Sequence, residues 1–308
     1  MKSFKLSMDV YSAKEKLTTI LGSPIASLSP IEMGELSKVF SFEWNGHAYV
    51  AHFKETKDSL VKANYIYQTY GSRLPIPKVI EVEELDGIFI SITEKAAGKP
   101  ISTFSPVQQE FILRDVARQL VKLGQLDINQ TLGYGWISPK GKTTSTSWTE
   151  TIEKFFAIDP DDFYQDWTRL YEESFLERPL FEEGFSSMMK LLRYAPKSPL
   201  LVHGDFHLGN MLSDGNKVTG IVDWEMAMYG DFMMDVAGLH FWHPALDFPR
   251  KVQDICRLHD IEIPHFEERL RCYMLFKAVD GLRFYAKQDA RPSYDYIKGR
   301  LKTLLLDK

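Results

Sequence analysis

Two short stretches decide the fold of this chain: VHGDFHLGN at residues 202–210 and IVDWE at residues 221–225. Asp205 is followed five residues later by Asn210, and Asp223 comes thirteen residues after that. All three lie beside apolar residues, and packing alone does not require polar groups at this spacing. Oxygen-donor side chains in this arrangement are what a bound metal ion and a polyphosphate would require.

Protein kinases carry the same arrangement in their catalytic loop, H-R-D-L-x-x-x-N, which D-F-G follows later in the chain. There the first aspartate is the catalytic base, and the asparagine and the second aspartate bind Mg²⁺. A hairpin is predicted between the two motifs here, because SDGNK at residues 213–217 is a strong turn signal. Either tripeptide alone would indicate only a turn or a helix cap. The joint spacing predicts a kinase-like site with Asp205 as catalytic base and Asn210 and Asp223 as metal ligands.

Length and composition are those of a globular enzyme with more than one lobe. The chain has 308 residues, which is more than one hydrophobic core usually organises. Its hydrophobic fraction of 44% and charged fraction of 26% are unlike those of a disordered chain. The net charge of −5 argues against nucleic acid and against an anionic membrane surface as partners.

Neither a membrane span nor a disulfide framework is predicted. No apolar run has the length that a bilayer requires, and residues 1–17 lack the apolar segment of a signal peptide. The two cysteines, Cys256 and Cys272, do not form a disulfide pattern. We therefore expect a cytoplasmic protein.

The pattern of apolar residues and turn signals predicts an α+β, bilobal protein-kinase-like fold with a small β-rich N-lobe and a mostly helical C-lobe. The N-lobe predictions are helices at 7–21 and 60–70 and strands at 38–43, 47–53 and 87–93. The C-lobe predictions are helices at 106–126, 149–156, 180–194 and 266–288, with one hairpin at 210–222. We place the nucleotide-binding N-lobe, with its N-terminal helix, at residues 1–97. The C-lobe, with the catalytic loop and the acceptor site, is placed at residues 98–308.

The segments HGDFHLGNML, IVDWE and YGDFMMDVA resemble the aminoglycoside phosphotransferase and choline kinase family. Further segments occur in the family's order and are most similar to its hygromycin B phosphotransferases: GELSKVFSF, YIY followed by LPIP, GYGWISPKG, and DWEMAMYGD with FWHP. The resemblance covers nearly the whole chain from about residue 34 onward.

The resemblance implies cofactors and several site residues. It implies ATP or GTP with Mg²⁺, and a small-molecule phosphoryl acceptor. The backbone at Thr93, Glu94, Lys95 and Ala96 is implied as the hinge that holds the adenine, and Ser37 as a residue over the phosphates. His203, Asp231 and Asp235 are implied as structural residues, the two aspartates bracing the catalytic loop.

The chain departs from the family at the ion pair that holds the phosphates. Kinase-like sites use a strand lysine paired with a helix glutamate, but by register these positions fall on His52 and Ala63. Three interpretations stay open. Lys54, on the same strand face, takes over the phosphate contact; His52 serves in the charged form; or the protein is a nucleotide-binding pseudokinase.

The phosphoryl acceptor implied by the resemblance is an aminocyclitol antibiotic of the hygromycin type, a cationic molecule that contains sugar rings. The alternative is a metabolic kinase for choline, ethanolamine or a sugar-like alcohol. Carboxylates suit a cationic acceptor, so Glu225, Asp162 and Asp280 are candidate contacts, together with His207, which lies between the base and the metal asparagine. The sequence gives no prediction of oligomeric state.

Overall fold

A computed structural model of the chain describes residues 8–31, 38–128, 133–157 and 163–306. The helices are α1 (Val10–Leu21), α2 (Asp58–Tyr70), α3 (Pro106–Gly124), α4 (Trp148–Phe156), α5 (Leu170–Glu173), α6 (Arg178–Leu191), α7 (Met233–Trp242), α8 (Phe248–Leu258), α9 (Phe266–Lys287) and α10 (Arg291–Leu306). The strands are β1 (Ala26–Ile31), β2 (Lys38–Trp44), β3 (His47–Lys54), β4 (Val79–Leu85), β5 (Ile88–Glu94), β6 (Lys99–Pro100), β7 (Gly135–Trp136), β8 (Leu200–Val202), β9 (Met211–Ser213), β10 (Val218–Ile221) and β11 (Met228–Gly230).

The chain forms two compact units that interleave along the sequence. The first unit comprises Met1–Ile112, Ile137–Lys142 and Leu208–Met226. The second unit comprises Leu113–Trp136, Thr143–His207 and Ala227–Lys308. The first unit therefore contains the predicted metal ligands, and the second contains the predicted base. The lobe boundary at residue 97 stays a prediction.

The first unit is built on an antiparallel sheet of strand order β1-β2-β3-β5-β4. Its central hairpin joins β2 to β3 through Asn45 and Gly46, whose φ angles are +49° and +77°. Positive φ at both central residues is what a tight two-residue hairpin needs, and Asn-Gly adopts it readily. The predicted hairpin is confirmed.

Strand β3 has two faces with different surroundings. Tyr49, Ala51 and Phe53 are buried in the core of the first unit, against residues of α1, β2 and β5. His52 and Lys54 alternate with them and lie on the opposite face, because strand side chains alternate with period two. The predicted shared face of His52 and Lys54 is confirmed.

A second, smaller sheet of the first unit has the order β10-β9-β6 and carries the predicted metal ligands. Asn210 precedes β9 and Asp223 follows β10. The turn between these strands lies where SDGNK predicts it, since Asp214 accepts hydrogen bonds from the backbone N–H of Asn216 and Lys217 at 2.9 and 3.0 Å. The hairpin is confirmed.

The second unit is mostly helical, and α9 runs through its core. Helices α6, α7 and α10 all pack against α9, and twelve residues of α9 are buried. A small antiparallel sheet has the order β7-β11-β8, and the catalytic loop begins directly after its strand β8. The predicted helices correspond to α3, α4, α6 and α9, and the bilobal kinase-like class is confirmed. In the part of the chain that the structure describes, no helix combines the length and apolar character that a membrane crossing requires.

Candidate active site

The catalytic loop begins where β8 ends and is held by a buried carboxylate. His203 is fully buried, and its Nδ1 accepts a hydrogen bond from the backbone N–H of Asp205 at 3.3 Å. Asp235, in the first turn of α7, accepts from the backbone N–H of His203 at 2.7 Å and of Gly204 at 2.9 Å. Asp235 therefore braces the loop, as predicted, and His203 has a structural contact within it.

Asp231 has a different role from the one predicted. It is fully buried and forms an ion pair with Arg269 of α9, at 2.5 Å between Oδ1 and Nη2. It also accepts from Tyr273 Oη at 2.8 Å and from the backbone N–H of Met233 at 3.0 Å. Its partners lie in α7 and α9, so it ties these helices together and does not brace the catalytic loop, because its carboxylate is fully used by them.

Asp205 is exposed over 48% of its side chain and faces His207, with 3.5 Å between Oδ2 and Nε2. Burial acts to raise the pKa of Asp205, whereas the hydrogen bond and charge of His207 lower it. His203 and Lys277 lower it further, and the net pKa lies below that of an ordinary aspartate. Asp205 is therefore ionised at neutral pH, which is the form that accepts a proton.

A cavity of about 270 Å³ opens beside Asp205 within the second unit. It is lined by residues of the catalytic loop, α7 and α9, among them Asp205, His207, Trp242, His243 and Lys277. The described residues place no carboxylate within 4.0 Å of the Lys277 ammonium, although its charge acts on Asp205 and Asp235. The cavity thus combines a base, an aromatic wall and a cation.

Two of the three acidic candidates for contacts to a cationic acceptor, Asp280 and Asp162, have different outcomes. Asp280 forms an ion pair with the buried Arg283 at 2.8 Å and accepts from Tyr164 Oη at 3.0 Å. Its charge is largely balanced by the arginine, and a role toward the acceptor stays a prediction. Asp162 lies outside the described residues, and so does Ser37.

The predicted metal ligands are brought to one end of the β9–β10 hairpin. Met211 pairs with Ile221, and the backbone N–H of Val222 donates to the Asn210 carbonyl at 2.9 Å. The backbones of Asn210, before β9, and of Asp223, after β10, are therefore neighbours at this end of the hairpin. Asp223 is exposed and has a φ of +64°, a conformation that aspartate tolerates better than most residues.

This pair of residues fits a magnesium ion. One carboxylate and one amide oxygen are hard ligands of the kind that Mg²⁺ takes when phosphate and water complete its coordination. The left-handed backbone at Asp223 is an unusual conformation of the kind that clusters at functional sites. The roles of Asn210 and Asp223 nevertheless stay predictions.

Strand β3 carries an ion pair that sequence reasoning missed. Lys54 Nζ lies 2.8 Å from Glu225 Oε2 and donates to Ser59 Oγ at 2.8 Å. Lys62 of α2 is buried and donates to the backbone carbonyl of Glu225 at 2.6 Å. A lysine–glutamate pair is therefore present in the first unit, with its glutamate from the segment after β10 and not from helix α2. No local sequence signal connects residues 171 positions apart.

His52 is uncharged at neutral pH on this face of the strand. Burial lowers its pKa to about 4, and the neighbouring Lys54 ammonium acts in the same direction. A neutral imidazole is a weaker phosphate ligand than an ammonium group. Of the two basic candidates on the strand face, Lys54 is therefore the charged one.

The predicted hinge continues from β5. The backbone N–H of Glu94 donates to the Lys78 carbonyl at 2.8 Å, and that of Lys95 to the Ala48 carbonyl at 3.0 Å. Beyond it, Thr219 Oγ1 donates to the Ala97 carbonyl at 2.5 Å, so the segment after Thr93–Ala96 is tied to the β9–β10 hairpin. Adenine binding by the hinge stays a prediction.

The chain is similar to proteins of known family. The profile of the group described as "Phosphotransferase enzyme family" matches residues 27–291. Hygromycin-B 4-O-kinase of Escherichia coli is 28% identical over 262 residues, covering 84% of this chain and 74% of that protein. Acyl-CoA dehydrogenase family member 11 of Rattus norvegicus is 22% identical over 287 residues, and the match covers 33% of its length.

Solved structures of phosphotransferases have a similar fold. A thermostable mutant of aminoglycoside phosphotransferase APH(4)-Ia, in ternary complex with ADP and hygromycin B, is 25% identical with a TM-score of 0.79. The likeness covers 96% of this chain and 98% of that one. A macrolide 2′-phosphotransferase of type I is 15% identical with a TM-score of 0.63, over 96% and 98% of the two chains, which shows a shared fold alone.

Proposed function

Because the chain belongs to the phosphotransferase enzyme family, we propose that it transfers the γ-phosphoryl group of ATP, with Mg²⁺, to a hydroxyl group of a small-molecule acceptor. One observation carries the proposal. Asp205 is ionised, lies on a loop held by Asp235, and opens onto the 270 Å³ cavity of the second unit. The reaction needs ATP, so we expect it to run in the cytoplasm.

The chain's own residues have separable tasks in this proposal. Asp205 orients the acceptor hydroxyl and takes its proton as the new P–O bond forms and the bond between the γ-phosphoryl group and the ADP leaving group breaks. Asp235 keeps the loop in place through its two backbone hydrogen bonds. Asn210 and Asp223 would hold Mg²⁺, which neutralises phosphate charge when bound. The hinge at Thr93–Ala96 would hold the adenine.

The first candidate acceptor is an aminocyclitol of the hygromycin type. The relatives named hygromycin-B 4-O-kinase and APH(4)-Ia support it, because they match this chain over most of its length. In the cavity, Trp242 offers an aromatic wall against which a sugar ring can stack. His207 lines the same cavity at 46% exposure, a position suited to contact with an acceptor.

A second candidate acceptor is a neutral, sugar-like alcohol. It is favoured by Lys277, which places a positive charge in the cavity, and by Asp280, whose charge is already balanced by Arg283. Both features weaken the attraction of the second unit for a polycation. Choline and ethanolamine, which are cationic, receive no support from these contacts.

The experiment that tests the function is a two-step screen of the full chain. Thermal unfolding with and without Mg-ATP should show a higher Tm with the nucleotide, because a ligand of the native state stabilises it. Hygromycin B, other aminocyclitols, choline and neutral sugars are then offered with Mg-ATP, and phosphorylated products are sought by mass spectrometry. We expect one of them to gain a phosphoryl group. Nucleotide binding with no phosphorylated product from any class would favour the pseudokinase.

A further inference from the structure

An ion pair links strand β3 to the segment that carries the predicted metal ligand. Lys54 is at the end of β3, and Glu225 comes two residues after Asp223. The Lys54 ammonium lies 2.8 Å from the Glu225 carboxylate, and its side chain is exposed over only 12% of its area. A cation is thus held beside the segment that would meet the triphosphate.

A second lysine fixes the same segment from the helix side. Lys62 in α2 is 6% exposed, and its ammonium donates to the backbone carbonyl of Glu225 at 2.6 Å. Helix α2 packs against the turn formed by Trp224–Met226. In kinase-like sites the corresponding helix gives a glutamate to the strand lysine. Here the helix contributes the Lys62 ammonium, which binds the backbone of the Trp224–Met226 turn. That turn in its place contributes the glutamate, Glu225, which pairs with the strand lysine Lys54.

This geometry is more specific than a surface ion pair. Two exposed charges form a variable contact of low energy, whereas Lys54 is mostly buried and also donates to Ser59 Oγ at 2.8 Å. Lys62 independently holds the main chain at Glu225, so this residue is held at its backbone by one lysine and at its carboxylate by the other. The ammonium of Lys54 therefore has one well-defined position.

We propose that Lys54 binds the α- and β-phosphates of the nucleotide and that Glu225 is its positioning residue, in place of the missing helix glutamate. This inference rests on the proposed function, because it assumes that the first unit binds a nucleotide. According to this proposal, the ion pair that the family forms at the positions of His52 and Ala63 is formed in this chain by Lys54 and Glu225. His52, on the same face, then contributes less than Lys54.

The test measures affinity for Mg-ADP by isothermal titration calorimetry on the full chain, alongside the unfolding free energy without nucleotide. Lys54→Met should weaken binding by about ten- to a hundredfold, the range expected for a hydrogen bond to a charged group. Lys54→Arg should retain more affinity than Lys54→Met, and Glu225→Gln should lose roughly three- to tenfold. Each of these losses is an increase in the Kd for Mg-ADP, measured on variants that the unfolding experiment shows to be folded.

A double variant separates positioning from direct binding. If Glu225 acts through Lys54, the Lys54→Met/Glu225→Gln variant should bind as Lys54→Met does, because coupled residues are not additive. Lys16→Met is the matched control: this lysine of α1 also belongs to the first unit and pairs with Asp86 at 2.5 Å. It should bind Mg-ADP as the wild type does.

Three results would count against these claims, and they can be told apart. No binding of Mg-ADP by the wild-type chain would overturn the proposed function itself. Wild-type binding with unchanged Kd in Lys54→Met would overturn the phosphate role of Lys54. Losses that add in the double variant, or a Glu225→Gln variant that is less stable but binds equally well, would overturn the positioning role of Glu225.

Discussion

At the scale of single residues, charge states follow from the contacts of each group. Asp205 keeps a low pKa because His207, His203 and Lys277 outweigh its partial burial. For Asp235 the balance is the opposite. Burial raises its pKa to about 7, although the hydrogen bonds that it accepts from two backbone N–H groups act to lower the pKa. The base is thus ionised, while the residue that braces its loop titrates near neutrality. The sequence predicted the bracing role but contains no information on these two environments.

Lys62 gives the first prediction at this scale. Burial lowers the pKa of Lys62 to about 8, and the charge of the Glu225 carboxylate offsets this effect only in part. The unfolded chain releases this proton only near the ordinary lysine pKa of 10.5. Below pH 8 the buried ammonium is charged in both states and destabilises the fold in full. Between about pH 8 and 10.5 the native state loses the proton first, so stability rises with pH relative to a variant without the group.

The measurement is urea unfolding of the wild type and of Lys62→Met across this pH window. The difference in unfolding free energy should move in favour of the wild type by at most roughly 3 kcal/mol, since one pKa unit corresponds to about 1.4 kcal/mol. Every other lysine titrates alike in both proteins and cancels in the comparison. Parallel pH curves for the two proteins would contradict the shifted pKa.

At the scale of elements, local patterns predicted what local physics controls. The β2–β3 hairpin follows from Asn45-Gly46, and the alternation of β3 follows from period two. Helix α7 was not predicted because eight of its ten residues are buried, so it shows no amphipathic periodicity. The Lys54–Glu225 pair was beyond any local rule, because its partners are 171 residues apart.

Gly98 gives a prediction about the segment that follows the hinge. Its φ is +87°, and a Cβ at this position would lie 1.8 Å from the Ser213 carbonyl oxygen in β9. Gly46 is the matched control, with a φ of +77° and no atom within 4 Å of an added Cβ. Gly46→Ala should therefore cost only the left-handed backbone, about 1–2 kcal/mol. Gly98→Ala should cost about 1–3 kcal/mol more through the clash.

Chemical unfolding of both variants measures the difference directly. Equal losses of stability would mean that the segment moves away from β9 without penalty. The close packing of residue 98 on β9 would then not be a fixed feature of the first unit.

At the scale of the whole molecule, the spacing of Asp205, Asn210 and Asp223 was enough to predict the kinase-like class, because that chemistry requires a base and two oxygen ligands at fixed intervals. The phosphoryl acceptor could not be predicted in the same way. Its site depends on side chains that only the fold brings together. Lys277, which lines the cavity with Asp205, belongs to no motif that was singled out, and His243 occurs only inside the segment FWHP.

Lys277 provides a prediction about the acceptor. If the acceptor is a polycation such as hygromycin B, this ammonium repels it, and Lys277→Met should lower KM by up to about fivefold, since partly exposed charge pairs contribute about 0.2–1 kcal/mol. Kinetics should be measured well above the pH at which Asp205 titrates, because the substitution also removes a charge that lowers its pKa. Lys287→Met on the same helix, whose Nζ donates to the Gln165 carbonyl at 3.4 Å, is the control. A higher KM in Lys277→Met would show that the lysine attracts the acceptor and would favour a non-cationic one.

The central claim is that Asp205 takes the proton of an acceptor hydroxyl while other residues hold the nucleotide. The most direct measurement compares wild type and Asp205→Asn for Mg-ADP affinity and for phosphorylation of the acceptor found in the screen. We predict equal affinity within a few-fold and a rate lower by about 10²–10⁴, the usual contribution of a general base. A variant that binds Mg-ADP and phosphorylates the acceptor as fast as the wild type would contradict the account.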